Sequence, residues 1–228
     1  MKKILATTVL AGALTSLGQA VVDINYVEDF DSDTANWIDV SEGPVDYNAT
    51  GGPDGGAHVS VDFNYVDFVA GSQSPVLFRA NDFNDASGDA FVGNWIAEEI
   101  ISFSFDFQHN APDPINVFAR FASSFNFPGA IAVDFTPVLP NTWTTVTFDI
   151  SPFNPEFVSF EGTNFDAVFN SVGNIQIGVS GDPLAGVDQD FTFRVDKVQV
   201  EAVPEPSTYA LLALGAGALA LLRRRRKS

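Results

Sequence analysis

The chain has 228 residues, no cysteine and a formal net charge of −18 at neutral pH. The absence of cysteine excludes disulfides, thiol catalysis, iron–sulfur clusters and cysteine-ligated zinc. Between the two terminal segments described below, residues 21–202 contain 28 acidic and four basic residues, a net charge of −24. Such a body repels phosphate backbones, so nucleic acid is excluded as a partner. Disorder is also excluded, because the same residues contain all 22 phenylalanines and three tryptophans.

The first twenty residues have the pattern of a secretory signal peptide. Lys2 and Lys3 provide a positive start, residues 4–17 are apolar, and Ala20 places a small residue at the cleavage position. A membrane anchor is the alternative, but fourteen apolar residues are short for a span of about 20. We therefore predict a signal helix in residues 1–20 and cleavage after Ala20 on export.

Residues 21–202 are predicted to form one β-sandwich domain. Apolar and polar residues alternate along this stretch, as they do in half-buried strands, and clusters of Gly, Pro, Asn and Asp separate the runs. One short helix is expected near residues 164–170. The pattern favours an all-β, antiparallel, jelly-roll-like sandwich. The alternating runs are residues 59–65, 103–107, 117–121, 131–135, 146–150, 175–179 and 191–195.

The last of these strands changes phase near its middle. The apolar residues of 191–195 point to one face, whereas Val198 and Val200 share the opposite phase with Asp196. A β-bulge at Asp196 and Lys197 would restore a single buried face. Alternatively, Asp196 points inward, where a carboxylate requires a cation or hydrogen-bond donors.

Three short segments are similar to those of galactose-binding-like jelly rolls, a class that includes many carbohydrate-binding modules. They are the Glu-Asp-Phe-Asp of residues 28–31 with Trp37, the segment 141–148 around Trp143, and the closing segment 193–198. The resemblance implies a jelly-roll architecture and a polysaccharide ligand.

The same resemblance implies a structural calcium ion between the first and last strands. By position, Asp31 and Asp196 would be its side-chain ligands, with backbone carbonyls from residues 51–58. Calcium takes six to eight oxygen ligands, which suits such a set. The alternative is that Asp31 begins a turn and Asp196 lies at a solvated bulge. Solubility is likewise an alternative explanation for the acidic composition as a whole.

Aromatic side chains that stack on sugar rings are the second kind of candidate site. Trp37, Trp95 and Trp143 are the candidates, with Tyr47 and Tyr65 behind them, and burial in the core is the alternative for each tryptophan. No acidic pair has the pattern expected of a jelly-roll glycosidase, and His58 and His109 lack metal-ligand spacing. We therefore expect no enzymatic activity.

The C-terminal segment, residues 203–228, has three parts in sequence. A Pro-Glu-Pro motif precedes an apolar stretch, residues 209–222, which we predict to be a short transmembrane helix. A basic cluster then ends the chain and favours retention on the cytoplasmic side, which leaves the body outside. The motif and the cluster consist of Pro204, Glu205, Pro206, Arg223, Arg224, Arg225 and Arg226.

This tail closely resembles the PEP-CTERM sorting signal. The resemblance implies transient insertion in the inner membrane and recognition by an exosortase-type membrane protease near Glu205. Release to the cell surface or extracellular matrix would follow, and proteins of this family are often linked to exopolysaccharide.

Three functions are therefore open at the level of the sequence. The first is a non-enzymatic surface or matrix protein that binds polysaccharide, which predicts solvent-facing aromatic residues around a groove. The second is a calcium-dependent structural or adhesive matrix component, which predicts clustered loop acids without an aromatic platform. The third is a glycan-active hydrolase, which requires two facing carboxylates in a cleft.

Overall fold

The alternating residues form two antiparallel sheets that face each other across an aromatic core. The computed structural model describes residues 21–203, and the predicted all-β sandwich is confirmed there. The predicted signal helix at 1–20 and transmembrane helix at 209–222 lie outside the described residues. Between residues 21 and 203, every helix is too short or too polar to cross a membrane.

Sheet A has six strands in the order β2–β3–β11–β5–β8, and β1 also pairs with β11. Its strands are β1 (Val27–Glu28), β2 (Asp46–Asn48), β3 (His58–Asn64), β5 (Ile100–His109), β8 (Thr144–Asp149) and β11 (Asp190–Ala202).

Sheet B has five strands in the order β4–β10–β6–β7–β9. Its strands are β4 (Val76–Asn81), β6 (Val117–Ala122), β7 (Gly129–Val133), β9 (Phe157–Ser159) and β10 (Asn174–Val179). Short 3₁₀ turns occur at Asp82–Asn84, Ala86–Asp89 and Asp182–Leu184.

The predicted short helix is confirmed as α1 (Phe165–Phe169). Asn164 caps it, because its side-chain oxygen accepts a hydrogen bond of 2.9 Å from the backbone N–H of Ala167. The helix turns Phe169 into the core, where its ring lies 5.8 Å from that of Trp95. Apolar burial therefore stabilises this short helix in addition to its cap.

The predicted bulge in β11 is confirmed. The register between β11 and β5 shifts between Asp196 and Gln199, and Lys197 has a φ of 51°. Strand β3 pairs with β11 up to Val195, and β1 pairs with it from Val198 onward. The bulge thus lies where β11 exchanges one neighbour for another. Asp196 is nevertheless only 1% exposed, so both features considered from the sequence, the bulge and the buried carboxylate, are present together.

Candidate functional site: a groove on sheet B and a buried carboxylate on sheet A

The outer face of sheet B carries a groove whose floor is formed by β10. Alternate residues of β10 fill the core, so Asn174, Gln176 and Gly178 face the other way. Two adjoining cavities of about 500 and 680 Å³ lie along this face and share Arg79, Asn126 and Gln176. We call this feature the sheet B groove. Its cavities are in the size range of small-ligand sites.

Strand register places one amide between two arginines on the groove floor. Gln176 lies directly opposite Arg79 of β4 on one side and Arg120 of β6 on the other. Cross-strand neighbours of this kind have Cβ atoms about 4.5–5.5 Å apart. Three polar side chains therefore form a row across the middle of the sheet.

Asn126 fixes this row from the loop between β6 and β7. Its Oδ1 accepts hydrogen bonds from Arg120 Nη1 at 2.6 Å, from Gln176 Nε2 at 2.9 Å and from Asn174 Nδ2 at 3.2 Å. Asn126 has a φ of 62°, a conformation that asparagine tolerates better than most residues. The floor of the groove is therefore ordered by its own hydrogen bonds.

Glu161 completes the network around Arg120. The guanidinium donates from Nε to Oε1 at 2.6 Å and from Nη2 to Oε2 at 2.7 Å, a two-pronged pair. The hydrogen bonds and charge of Arg120 hold the pKa of Glu161 below its usual range. Gly129 leaves room for this pair, because a Cβ there would lie 2.5 Å from Arg120 Nη2 and 2.7 Å from Glu161 Oε2.

Phenylalanines border the groove. Phe83 and Phe125 are 69% and 84% exposed, and their rings meet edge to face at 5.9 Å beside the smaller cavity. The ring of Phe118 covers Gly178 of β10, where an added Cβ would collide with it. Beyond it, the exposed Phe135 borders a further cavity of about 220 Å³. The groove thus has an apolar surface next to ordered polar groups.

The sequence did not point to these phenylalanines, because only tryptophans and tyrosines were considered as sugar-stacking residues. The sequence feature that could have identified two of them is the polar character of the surrounding residues. Phe83 and Phe125 interrupt polar loops between Asp82 and Asn84 and between Ser124 and Asn126, outside every alternating run. A large apolar residue in such a loop has no core face to fill.

The three tryptophans lie elsewhere. Trp37 and Trp95 are 0% exposed, and their indole N–H groups donate to Ser87 Oγ at 2.9 Å and to the carbonyl of Phe91 at 2.8 Å. Interpreting these two as ligand-facing is therefore wrong: both are core residues, because the sandwich interior is the largest apolar volume available to an indole.

Trp143 is half-buried and borders sheet A, away from the sheet B groove. Its Nε1 donates to the carbonyl of Gly51 at 3.1 Å, and its ring meets that of His58 edge to face at 5.6 Å. It therefore packs against the segment from which carbonyl ligands for calcium were expected.

Asp196 lies under that segment. Its Oδ1 accepts a hydrogen bond of 2.8 Å from the backbone N–H of Lys197, whereas Oδ2 has no partner among the described residues. Burial raises the pKa of Asp196 to about 7, and the nearby charges of Asp54 and Asp106 act in the same direction. An unpaired oxygen in such a setting is costly unless it gains a cation or donor.

The loop above Asp196 brings further oxygens to the same place. A Cβ added to Gly52 would lie 2.6 Å from the carbonyl oxygen of Ala57, 3.0 Å from Asp196 Oδ2 and 3.1 Å from the carbonyl oxygen of Gly56. Three acceptors thus converge on a space that only glycine leaves open. These are hard oxygens of the kind that calcium prefers. They supply three of the six to eight ligands that calcium takes, and the Gly56 carbonyl also accepts a hydrogen bond of 2.9 Å from the Gly52 N–H.

Asp31 does not take part in this cluster. Its side chain is exposed, and its carbonyl oxygen accepts a hydrogen bond of 3.1 Å from the hydroxyl of Tyr47. The carboxylates whose charges raise the pKa of Asp196 are those of Asp54 and Asp106. Within residues 21–203, no group of three or more His, Cys, Asp or Glu side chains is arranged to hold a metal ion. Calcium at this point would depend on Asp196 and on backbone carbonyls.

Comparison with known families identifies the tail. Residues 202–227 match the family model described as the PEP-CTERM protein-sorting motif. The chain therefore carries this motif, as predicted. The sorting residues themselves lie outside the described residues. A search of curated proteins finds no sequence match.

Solved structures share the fold of the body at low sequence identity. An exo-β-agarase has a TM-score of 0.51 and 10% identity over 78% of this chain and 25% of its own. The CBM22-1 xylan-binding domain of Paenibacillus barcinonensis Xyn10C has a TM-score of 0.47 and 13% identity over 80% of this chain and 97% of its own. The C-terminal family 22 carbohydrate-binding module of Clostridium thermocellum Xyn10B has a TM-score of 0.45 and 10% identity over 81% and 98%. This chain spans only about a quarter of the agarase, and the likeness is one of fold alone.

Proposed function

We propose that this chain is an exported, non-enzymatic protein that binds polysaccharide in the sheet B groove and is delivered to the cell surface or extracellular matrix by its PEP-CTERM tail. The observation that carries this proposal is the pairing of exposed aromatic rings, Phe83 and Phe125, with a floor of amides held in place by Asn126. Sugar rings present apolar faces and a rim of hydroxyls, so a site for them needs both kinds of surface.

The chemistry of the groove favours binding over hydrolysis. A glycosidase needs a carboxylic acid that stays protonated near neutral pH and a second carboxylate facing it. Glu161 does not meet the first requirement, because Arg120 lowers its pKa and so favours the ionised form. The other carboxylate beside the cavities, Glu42, has a side chain that is 79% exposed. Neither residue is suited to act as a general acid.

Titration calorimetry with soluble glycan oligomers tests the binding proposal, using the full chain purified in mild detergent. Replacing Phe125 by Ala should weaken binding about tenfold, because an aromatic face that is covered by ligand contributes on the order of 1.4 kcal/mol. Phe153 is 90% exposed and lies outside the groove, so Phe153→Ala is the matched control. Equal affinities of the two variants, or no binding of any neutral or acidic oligomer, would refute the proposal.

The sorting part of the proposal concerns the Pro-Glu-Pro motif and the basic cluster. An exosortase-type protease would cleave near Glu205 after transient insertion of residues 209–222 in the inner membrane. Replacing Arg223–Arg226 by glutamine should remove the cytoplasmic retention signal. Cell fractionation and the apparent mass of the mature chain report the outcome. Unchanged processing in this variant would contradict the proposal.

A second candidate function is favoured by the oxygens around Asp196, namely a calcium-dependent structural or adhesive role in the matrix. Asp196 and the carbonyls of Gly56 and Ala57 would hold the ion. Calcium would then be the positively charged partner of the otherwise unpaired Asp196 Oδ2. The ion would tie the loop 51–58 to β11. Thermal unfolding with and without calcium distinguishes this role from polysaccharide binding without a metal ion.

A further inference from the structure

The two arginines of the sheet B groove differ in their hydrogen bonding. Arg120 donates to both oxygens of Glu161 and to the side chain and backbone carbonyl of Asn126. Arg79, by contrast, has a buried Nε that lacks a hydrogen-bond partner within residues 21–203. Its nearest carboxylate is that of Glu42, 4.0 Å from Nη1. Since the Glu42 side chain is 79% exposed, this pair is weak.

The position of Arg79 is fixed by backbone pairing on both sides. Gln176 of β10 lies opposite Arg79 on one side. On the other side, the backbone N–H and carbonyl groups of Arg79 form hydrogen bonds of 2.9 and 3.0 Å with Ile38. Its side chain is 26% exposed and borders both large cavities. Asn174 lines the smaller of the two, and its Oδ1 likewise has no partner among the described residues. Arg79 and Asn174 therefore both border the smaller cavity, with Arg79 Nε and Asn174 Oδ1 buried at its edge.

The groove also differs from the rest of the body in charge. The two large cavities are bordered by two of the four basic residues of the body, Arg79 and Arg120, but by only two of its 28 acidic residues, Glu42 and Glu161. Because Arg120 and Glu161 neutralise each other, Arg79 remains as a weakly paired cation. Distant acids have little effect on it, since charges separated by more than about 8 Å are largely screened at physiological ionic strength.

We propose that the sheet B groove selects polysaccharides that contain uronic acid, and that Arg79 binds the sugar carboxylate. This inference rests on the proposed function, polysaccharide binding in the same groove. The planar fork of a guanidinium matches two carboxylate oxygens, and Arg79 borders both cavities with only the weak Glu42 pair in competition.

The test compares an oligogalacturonate with its carboxyl-reduced counterpart, in which each carboxylate becomes a hydroxymethyl group. Calorimetry with the full chain in detergent should show that the acidic oligomer binds about tenfold more tightly, as expected for charge-assisted hydrogen bonds. Arg79→Gln should remove this preference, so that the acidic and the reduced oligomer bind with affinities within about twofold of each other. Arg194→Gln is the matched control, because Arg194 lies on sheet A and bonds Gln108. Thermal unfolding of each variant verifies that it is folded.

The outcomes separate this inference from the function on which it rests. If both oligomers bind equally to the wild-type chain, or if Arg79→Gln weakens both equally, the groove binds glycan but Arg79 is not a carboxylate receptor. If only neutral oligomers bind, the inference is refuted and the proposed function stands. If no oligomer binds, both are refuted.

Discussion

Gly52→Ala is expected to abolish any stabilisation by calcium. The added methyl would occupy the space toward which the Ala57 carbonyl, Asp196 Oδ2 and the Gly56 carbonyl converge, at 2.6, 3.0 and 3.1 Å. At a hundredfold excess of calcium over Kd, binding stabilises the native state by about 2.7 kcal/mol. For a domain of this size, that corresponds to a rise of roughly 5–11 °C in Tm. The wild-type chain should show this rise between EGTA and millimolar calcium, and Gly52→Ala should not.

The same substitution has a second, calcium-independent effect. Forcing a methyl against backbone oxygens is overpacking and costs about 1–3 kcal/mol, so Gly52→Ala should melt lower than wild type even in EGTA. Gly43→Ala is the control, because a Cβ there would meet its nearest atom, an oxygen of Asp39, at an ordinary 3.7 Å. It should retain the full calcium shift.

Asp196→Asn separates loss of the ion from damage to the loop. Like Gly52→Ala, it should eliminate the calcium shift, since the carboxylate is removed. In EGTA above neutral pH, however, it should melt higher than wild type, because an amide replaces a buried carboxylate whose pKa is raised to about 7. A full calcium shift in either variant would refute this account of the site, and so would the absence of any shift in the wild-type chain.

Three further predictions concern the core, pH and the groove. Trp95→Ala should lower the free energy of unfolding by about 3–5 kcal/mol in urea titrations, whereas Trp143→Ala, at a half-buried site, should cost markedly less. Burial lowers the pKa of His109, so stability that is present above pH 6.5 should be lost as the pH falls from 6.5 toward the folded-state pKa. His109→Gln should reduce the slope of the free energy of unfolding against pH in this range. An unchanged slope would contradict the prediction. Glu161→Gln should destabilise the fold by about 1–3 kcal/mol, because it leaves the largely buried Arg120 without its counter-ion. An unchanged free energy of unfolding in urea titrations would show that the ion pair does not stabilise the fold.

Much of the fold could be predicted from local patterns. A strand that buries one face alternates apolar and polar residues, so the seven alternating runs and the phase change at Asp196 were readable without any tertiary information. The helix near Asn164 was readable as well, although its capping interaction became visible only in the structure. The sorting tail was equally local, because its three parts follow one another along the chain.

The candidate calcium site was only partly predictable. Asp196 was identifiable because the phase change of the last strand places its carboxylate on the apolar face. The loop 51–58 and Asp31 were implied only by the resemblance to galactose-binding-like jelly rolls. The partner acids were not predictable. Asp54 and Asp106 raise the pKa of Asp196 because the loop 51–58 folds over β11 and because β5 pairs with β11. Neither contact can be inferred from the residues that neighbour Asp196 in the sequence.

The sequence by itself thus determined the all-β class, most of the strands and the sorting tail, since each depends on residues within a few positions of one another. Tertiary structure alone decided the groove. Gln176 stands between Arg79 and Arg120 because strand register joins residues far apart in the chain. It also decided which aromatics face solvent: Trp95 is enclosed by other rings, while Phe125 is left outside by its loop. Burial is a property of the packed whole, whereas alternation is a property of the single strand.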